Sequence, residues 1–205
     1  MRLALVCALV ACKQHAGPHD APARAPHGAL RGMFELTYYW VPVEDDLPGP
    51  AVARVYDRAC KSLAKVSAKF AHQIAIDGVG KLADGRMLGV DGECKCPRSP
   101  CFHVVDAPWG LGAANRALVP FRSLAVDRAL VDVGTPLWIE QLDGIELPGY
   151  FATSHDGCVV ADDVGGNVTG HQVDWFVARQ PYYLELDAEL HTKQVAVYDA
   201  GDRCR

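Results

Sequence analysis

Two stretches of the chain place carboxylates where strand ends and turns can aim them. Phe121–Ile139 reads as a strand ending at Asp127, a turn with Gly134 and Pro136, and a further strand. Cys158–Phe176 reads as an apolar strand that delivers Asp163 into a glycine-rich turn, followed by a strand that presents Asp174 among Val173, Trp175 and Phe176. Apolar neighbours disfavour the charged form of a carboxyl, so the Asp174 pKa is expected to rise toward a range useful for acid–base chemistry. A like charge held close has the same effect, and Asp163 is placed to supply it.

Other chemistries fit less well. Gly165, Gly166 and Gly170 lack the strand–loop–helix context of a nucleotide loop, and no Walker lysine follows them. An aspartic protease needs a second Asp-Thr/Ser-Gly copy, which is missing. Asn167-Val168-Thr169 matches a glycosylation sequon and is read as a chance match. No cofactor is expected. The formal charge of −5 and the absence of a Lys/Arg cluster interleaved with aromatics argue against a nucleic-acid partner.

The N-terminus sets the compartment. Met1-Arg2 and the apolar run Leu3–Ala11 have the length and basic flank of a signal-peptide core, too short to span a bilayer as a helix. The run ends in Leu9-Val10-Ala11-Cys12, which looks like a bacterial lipobox, so residues 1–12 are expected to be a signal with Cys12 lipidated. Lys13 follows, without the Asp that retains such lipoproteins in the inner membrane, so an outer-membrane anchor facing the periplasm is expected. Residues 13–31, rich in Pro, Ala and His, read as a flexible tether. Export also bears on Cys60, Cys94, Cys96, Cys101, Cys158 and Cys204. In a reducing space Cys94, Cys96, Cys101 and His103 would suggest zinc, but an oxidising space turns such thiols into disulfides. Disulfides and no metal are therefore expected, with fifteen connectivities open.

The elements that must position the aspartates come from residues 32–205, one folded unit with a Cys-rich insertion at about 51–101. Phe34–Trp40 is aromatic and β-prone. Val52, Val55, Cys60, Leu63, Val66 and Phe70 recur at three- to four-residue spacing and predict an amphipathic helix within Ala51–Ala71. Short strand-like pieces follow at His72–Ile76, Met87–Val90, Phe102–Val105, Ser123–Val126, Pro136–Gln141, Cys158–Ala161, Gln172–Val177 and Lys193–Tyr198. Many short strands with one main helix predict a mainly β fold, a small closed barrel.

The two aspartate segments together resemble the three-aspartate (3D) domain, found at the C-terminal end of the membrane-bound lytic murein transglycosylase A family. That family has an Ala-Val-Asp-Arg-type strand, a Gly-Thr-Pro-like turn, an Asp-Thr/Val-Gly-Gly segment and a strand with the last aspartate. Here these fall on Ala125–Arg128, Gly134–Pro136, Asp163–Gly166 and Asp174, with Gly110, Gly112, Leu118 and Pro120 also fitting ahead of Arg122. The resemblance implies a double-psi β-barrel acting on peptidoglycan glycan strands, with Asp127, Asp163 and Asp174 converging and Asp174 as the acid/base. Gly165, Gly166 and Trp175 are expected on the substrate side. A lytic transglycosylase manages with one such carboxyl, which protonates the leaving oxygen and then takes a proton from the substrate's own 6-hydroxyl.

The chain departs from the family in two ways. Asn167-Val168-Thr169-Gly170 replaces a segment that ends in Lys-Gly, removing the cation expected near the aspartates, and the chain is too short for the family's second domain. The competing reading is a non-catalytic, expansin-like module that grips or loosens the wall without cutting it. In either case Trp40, Trp109, Trp138 and Trp175 are candidates to stack on sugar rings.

Overall fold

The computed structural model describes residues 27–149 and 153–204. The expected lipidation of Cys12, the signal segment and most of the tether lie outside the described residues. In chain order the elements begin with β1 (Leu30–Tyr39), β2 (Ala51–Tyr56), β3 (Ser62–Ser67), α1 (Ala68–Asp77), β4 (Val79–Lys81), β5 (Met87–Gly92) and β6 (Cys101–Val105). They continue with β7 (Ser123–Val126), β8 (Pro136–Glu146), β9 (Ser154–Asp163), β10 (Gln172–Phe176), α2 (Gln180–Leu190) and β11 (Gln194–Asp199).

Six strands close a barrel in the order β1, β10, β7, β9, β8, β11. The pairings of β1 with β10 and of β7 with β9 are parallel, and the other four are antiparallel, the mixture expected of a double-psi β-barrel. Period-2 alternation fills the interior. Phe34 and Leu36 of β1, Leu124 and Val126 of β7, Val159 and Ala161 of β9, and Val173 and Trp175 of β10 all join one buried cluster. The intervening residues of those strands point outward.

Residues 51–105 form a small lobe with its own buried cluster, including Val55, Val66, Phe70, Ile74, Leu88 and Phe102. It consists of the β2–β3 hairpin, α1 and the β4–β5–β6 sheet. A third cluster joins lobe to barrel: Met87, Val79 and Val105 pack with Tyr39, Val41, Val43, Leu118, Phe176 and Ala178. The ion pair of Arg179 with Asp46 ties the segment after β10 to the segment leading into the lobe.

The predicted helix at 51–71 is a correction. That stretch is a hairpin, and the helix begins at Ala68, replacing the expected strand at His72–Ile76. Two six-residue strands separated by a turn mimic three- to four-residue spacing. The turn is fixed by Asp57, whose Oδ1 accepts from Ala59 N and Lys61 N at 2.9 Å each. Ser67 starts α1, accepting from Phe70 N at 3.1 Å. A second helix, α2, was not expected either; it buries only Leu186, so no apolar stripe marks it. The ordered fold also begins ahead of residue 32, because Leu30 and Arg31 already belong to β1 and Gly28 N donates to Asp199 O at 2.8 Å. No helix among the described residues is long and apolar enough to cross a membrane.

Three disulfides join Cys60 to Cys96, Cys94 to Cys101, and Cys158 to Cys204. The first two share the lobe's loop before β6, where the Cys94, Cys96 and Cys101 sulfurs lie within 4.8 Å of one another. The third fastens the C-terminal residues to β9.

Two buried side chains meet on one carbonyl at the start of β7. The Phe121 oxygen accepts from Trp175 Nε1 at 3.0 Å and faces His155 Nε2 at 2.7 Å. Gly157 N donates to His155 Nδ1 at 2.9 Å, so the ring carries its proton on Nε2 and is neutral. Burial pushes its pKa below the ordinary 6.5. The unfolded chain therefore binds this proton more readily, and stability present above pH 6.5 should be lost as pH falls through the depressed value. Denaturant unfolding should show this decline, and a His155→Gln variant, less stable at pH 7, should lose that part of the slope.

Candidate active site

Strand register sets the geometry of the aspartates. Thr37 of β1 is opposite Asp174 of β10, Asp174 is opposite Ala125 of β7, and Ala125 is opposite Asp163 of β9. All four lie in one row across four strands. Asp174 and Asp163 are thus two strands apart, with about 10 Å between their Cα atoms. Ala125, which lies between them, presents only a methyl group and is itself buried. Asp174 alternates with Val173 and Trp175, both in the barrel core, so it projects from the outer surface. The next outward residue, Phe176, packs under Met87 and Val105 of the lobe. The row therefore runs beside the seam between lobe and barrel.

Both carboxyls are pushed above the ordinary aspartate range. For Asp174 the main cause is burial, followed by the charge of Asp163, against a smaller opposing effect of the Thr37 hydroxyl. Its Oδ1 is buried without a hydrogen-bond partner. For Asp163 burial again dominates, but more groups favour its charged form: Val164 N, which donates at 2.8 Å, the Tyr39 hydroxyl and the Ala113 amide. The two environments differ in their hydrogen bonds: Asp163 accepts from Val164 N, while Asp174 Oδ1 has no partner.

Asp127 has a different position. It follows β7, and its carboxylate accepts from Ala129 N at 2.8 Å and Gly170 N at 2.7 Å. Those amides lower its pKa, opposite in direction to the shifts of Asp163 and Asp174. The structure brings Asp163 and Asp174 together and uses Asp127 to pin the turn that precedes β10. Trp175 is a further correction: it is fully buried in the barrel, so it cannot stack on a ligand. Gly165 shapes the turn, where an added Cβ would lie 2.4 Å from Val168 Cγ2, while Gly166 has open space around it. Of the remaining tryptophans, Trp138 is buried and Trp40 is stacked on Tyr183. Trp109 sits at the seam, edge-on to Phe176, with Lys81 Nζ 4.6 Å from its ring centre.

Three residues at the site escaped the sequence reading. Tyr39 lies next to Asp163, and its alternation on β1 was the signal available. Asp162 is buried, held by Arg116 and by the Ser123 hydroxyl at 2.7 Å. Arg116 pairs with Asp162, the neighbour of Asp163, from 46 residues away in sequence. Arg122 is engaged by Asp156. Gly112 allows the Arg116 loop to close on β9, since a Cβ there would lie 2.6 Å from Asp162 O and 3.1 Å from Asp163 Cβ.

Residues 122–184 match the family model described as the 3D domain. The overall fold is similar to that of MltA from Escherichia coli, a lytic transglycosylase. One crystal structure of that protein aligns at 17% identity and a TM-score of 0.53, covering 83% of this chain and 73% of that one. The MltA structure with bound chitohexaose aligns at 16% identity and a TM-score of 0.51, covering 82% and 71%. At these identities the likeness is one of fold. No curated protein matches the sequence significantly.

Asp163→Asn removes the like charge and keeps the shape. It should let Asp174 titrate at lower pH than in the wild type, read from the carboxyl carbon by NMR. An unchanged midpoint would mean that burial alone sets it.

Proposed function

We propose that this protein cleaves peptidoglycan glycan strands as a lytic transglycosylase-like enzyme, with Asp174 as acid and then base. The observation that carries the reading is the buried, unpartnered Oδ1 of Asp174, on the outer face of the barrel beside Asp163. A protonated Asp174 gives its proton to the glycosidic oxygen as the bond to the anomeric carbon breaks. The resulting carboxylate takes the proton of the 6-hydroxyl, whose oxygen closes on the anomeric carbon to form a 1,6-anhydro ring. Proton and charge balance with one carboxyl and no water. Asp163 contributes the negative charge that favours protonated Asp174 and steadies positive charge developing on the sugar. The fold likeness to MltA and the match to the 3D domain support glycan as the substrate class.

The test is incubation of the purified protein with sacculi and mass spectrometry of the soluble products. Wild type should release anhydro-muropeptides, and Asp174→Asn should lower release by about 10²–10⁴-fold, the usual contribution of a positioned acid. Release by Asp174→Asn at the wild-type rate rules out the role. Sacculus binding without release by wild type favours the wall-binding alternative, which the engagement of Arg116 by Asp162 supports, since that arginine is not free to serve the row. The same variant should be more stable. The folded state binds the Asp174 proton more tightly than the unfolded chain, so this group costs stability as pH rises through its raised pKa. Above that window Asn should gain on the order of 1 kcal/mol by removing an unpaired buried charge.

The location follows from the lipobox reading. We propose that Cys12 carries lipid and that the tether holds the barrel within reach of the wall. A Cys12→Ala variant should leave the membrane fraction; one that stays there with the same processed N-terminus contradicts the anchor.

A further inference from the structure

The lobe brings two disulfides into contact, each with an outer and an inner sulfur. Cys60 of the Cys60–Cys96 bond is exposed and Cys94 of the Cys94–Cys101 bond is partly exposed, while Cys101 is fully buried. The inner sulfurs, Cys96 Sγ and Cys101 Sγ, lie 3.5 and 3.1 Å from one carbonyl oxygen, that of Asp57, and only 3.5 Å from each other. The same oxygen accepts from Cys60 N at 2.9 Å, so the β2–β3 turn and the loop before β6 are fixed to one point. The loop also has ties of its own. Ser99 Oγ accepts from Cys94 N at 3.2 Å and donates to Glu93 at 2.6 Å. Cys60 has left-handed backbone, with φ at 60°, a conformation disfavoured for a residue with a Cβ. Exposure and strain are the marks of a disulfide that exchanges readily. Cys158 and Cys204 show the contrast, since among the described residues no third sulfur joins them.

We propose that the four cysteines of the lobe form a thiol–disulfide exchange site, in which a dithiol attacking an outer sulfur causes the two inner sulfurs to bond to each other. A thiolate of the dithiol attacks Cys60 Sγ, the Cys60–Cys96 bond breaks, and its electron pair leaves on Cys96. The Cys96 thiolate already touches Cys101 Sγ and attacks it. A Cys96–Cys101 bond forms, the Cys94–Cys101 bond breaks, and the electron pair passes to Cys94. The second thiol of the dithiol then displaces Cys60 from the mixed disulfide. The dithiol leaves as a cyclic disulfide, and its two protons return through water to Cys60 and Cys94, which end as thiols. Entry at Cys94 reaches the same state, because it releases Cys101 to attack Cys96. The surviving bond thus moves inward, and the hairpin turn is freed from the loop. Met87 and Val105 lie at the ends of β5 and β6 away from that loop, so the exchange takes place far from the seam with the barrel. The inference is independent of the acid/base reading of Asp174.

The test is limited reduction of the purified full-length protein with dithiothreitol, followed by an acid quench, alkylation and mass-spectrometric mapping without further reduction. The species with two thiols should carry label on Cys60 and Cys94 and retain a Cys96–Cys101 bond. Three outcomes overturn the proposal. Label on Cys60 and Cys96 with Cys94–Cys101 intact, or on Cys94 and Cys101 with Cys60–Cys96 intact, means that reduction stops at the bond first attacked. Label first on Cys158 and Cys204 means that the lobe is not the readily exchanging site. A Cys60→Ser variant isolates the transfer step, because it leaves Cys96 as a thiol beside the Cys94–Cys101 bond with no reductant present. Most of the label should then appear on Cys94, with Cys96 bonded to Cys101. Label confined to Cys96 in the folded variant overturns the transfer, whatever the reduction of wild type gives.

Discussion

The row Thr37, Asp174, Ala125, Asp163 depends on register, and register depends on what fills the barrel. Strand side chains alternate with period two, so a slip of one residue on β10 would bring Asp174 inward and Val173 and Trp175 outward. Trp175 makes that slip costly, because its ring fills the core and its Nε1 has one buried acceptor, Phe121 O. The Phe121 amide, in turn, donates to Phe176 O at 2.8 Å. The placement of the carboxyls is therefore enforced from inside the barrel by residues that touch no ligand.

This explains what the sequence made legible. The barrel strands carry strong local signals: alternation with apolar positions inward and turns at Gly and Pro. Seven of the eight strand-like pieces proposed beyond the first strand coincide with observed strands, the exception being His72–Ile76, which is helical. The upward shift of the Asp174 carboxyl also followed from its local surroundings, Val173 and Trp175. Trp175 was misread because a tryptophan beside a candidate acid looks like a ligand platform, and only the inward or outward sense of β10 separates the two. The amide partners of Asp127, Ala129 N and Gly170 N, could not be read in advance, because an aspartate at a strand end serves a turn as readily as a reaction. Arg116 could not be placed, since its contact with Asp162 of β9 is created by the closing of the fold across 46 residues.

The lobe was the least legible part. Its segments are short, its helix has three turns at most, and two of its links are disulfides whose pairing no spacing determines. It covers Phe176, the residue two beyond Asp174 on β10, with Met87 and Val105. Burial is the main reason that both carboxyls hold protons more tightly, and at Asp163 the Gly112 loop adds to it. Part of the stability gained in the seam is thus offset by leaving Tyr39 Oη and Asp174 Oδ1 unpaired.

The direction of β1 has a mechanical consequence. The chain enters this strand at Leu30, beside Asp199, and reaches the aspartate row only at Thr37, about 23 Å further along at the usual rise of a strand. Any leash on the N-terminal side is attached at the other end of β1 from the aspartate row. Force transmitted through it would load first the β1–β11 pairing at Leu30–Glu35, ahead of the β1–β10 pairing at Glu35–Tyr39. A barrel held there would keep the length of β1 between the point of attachment and Asp174.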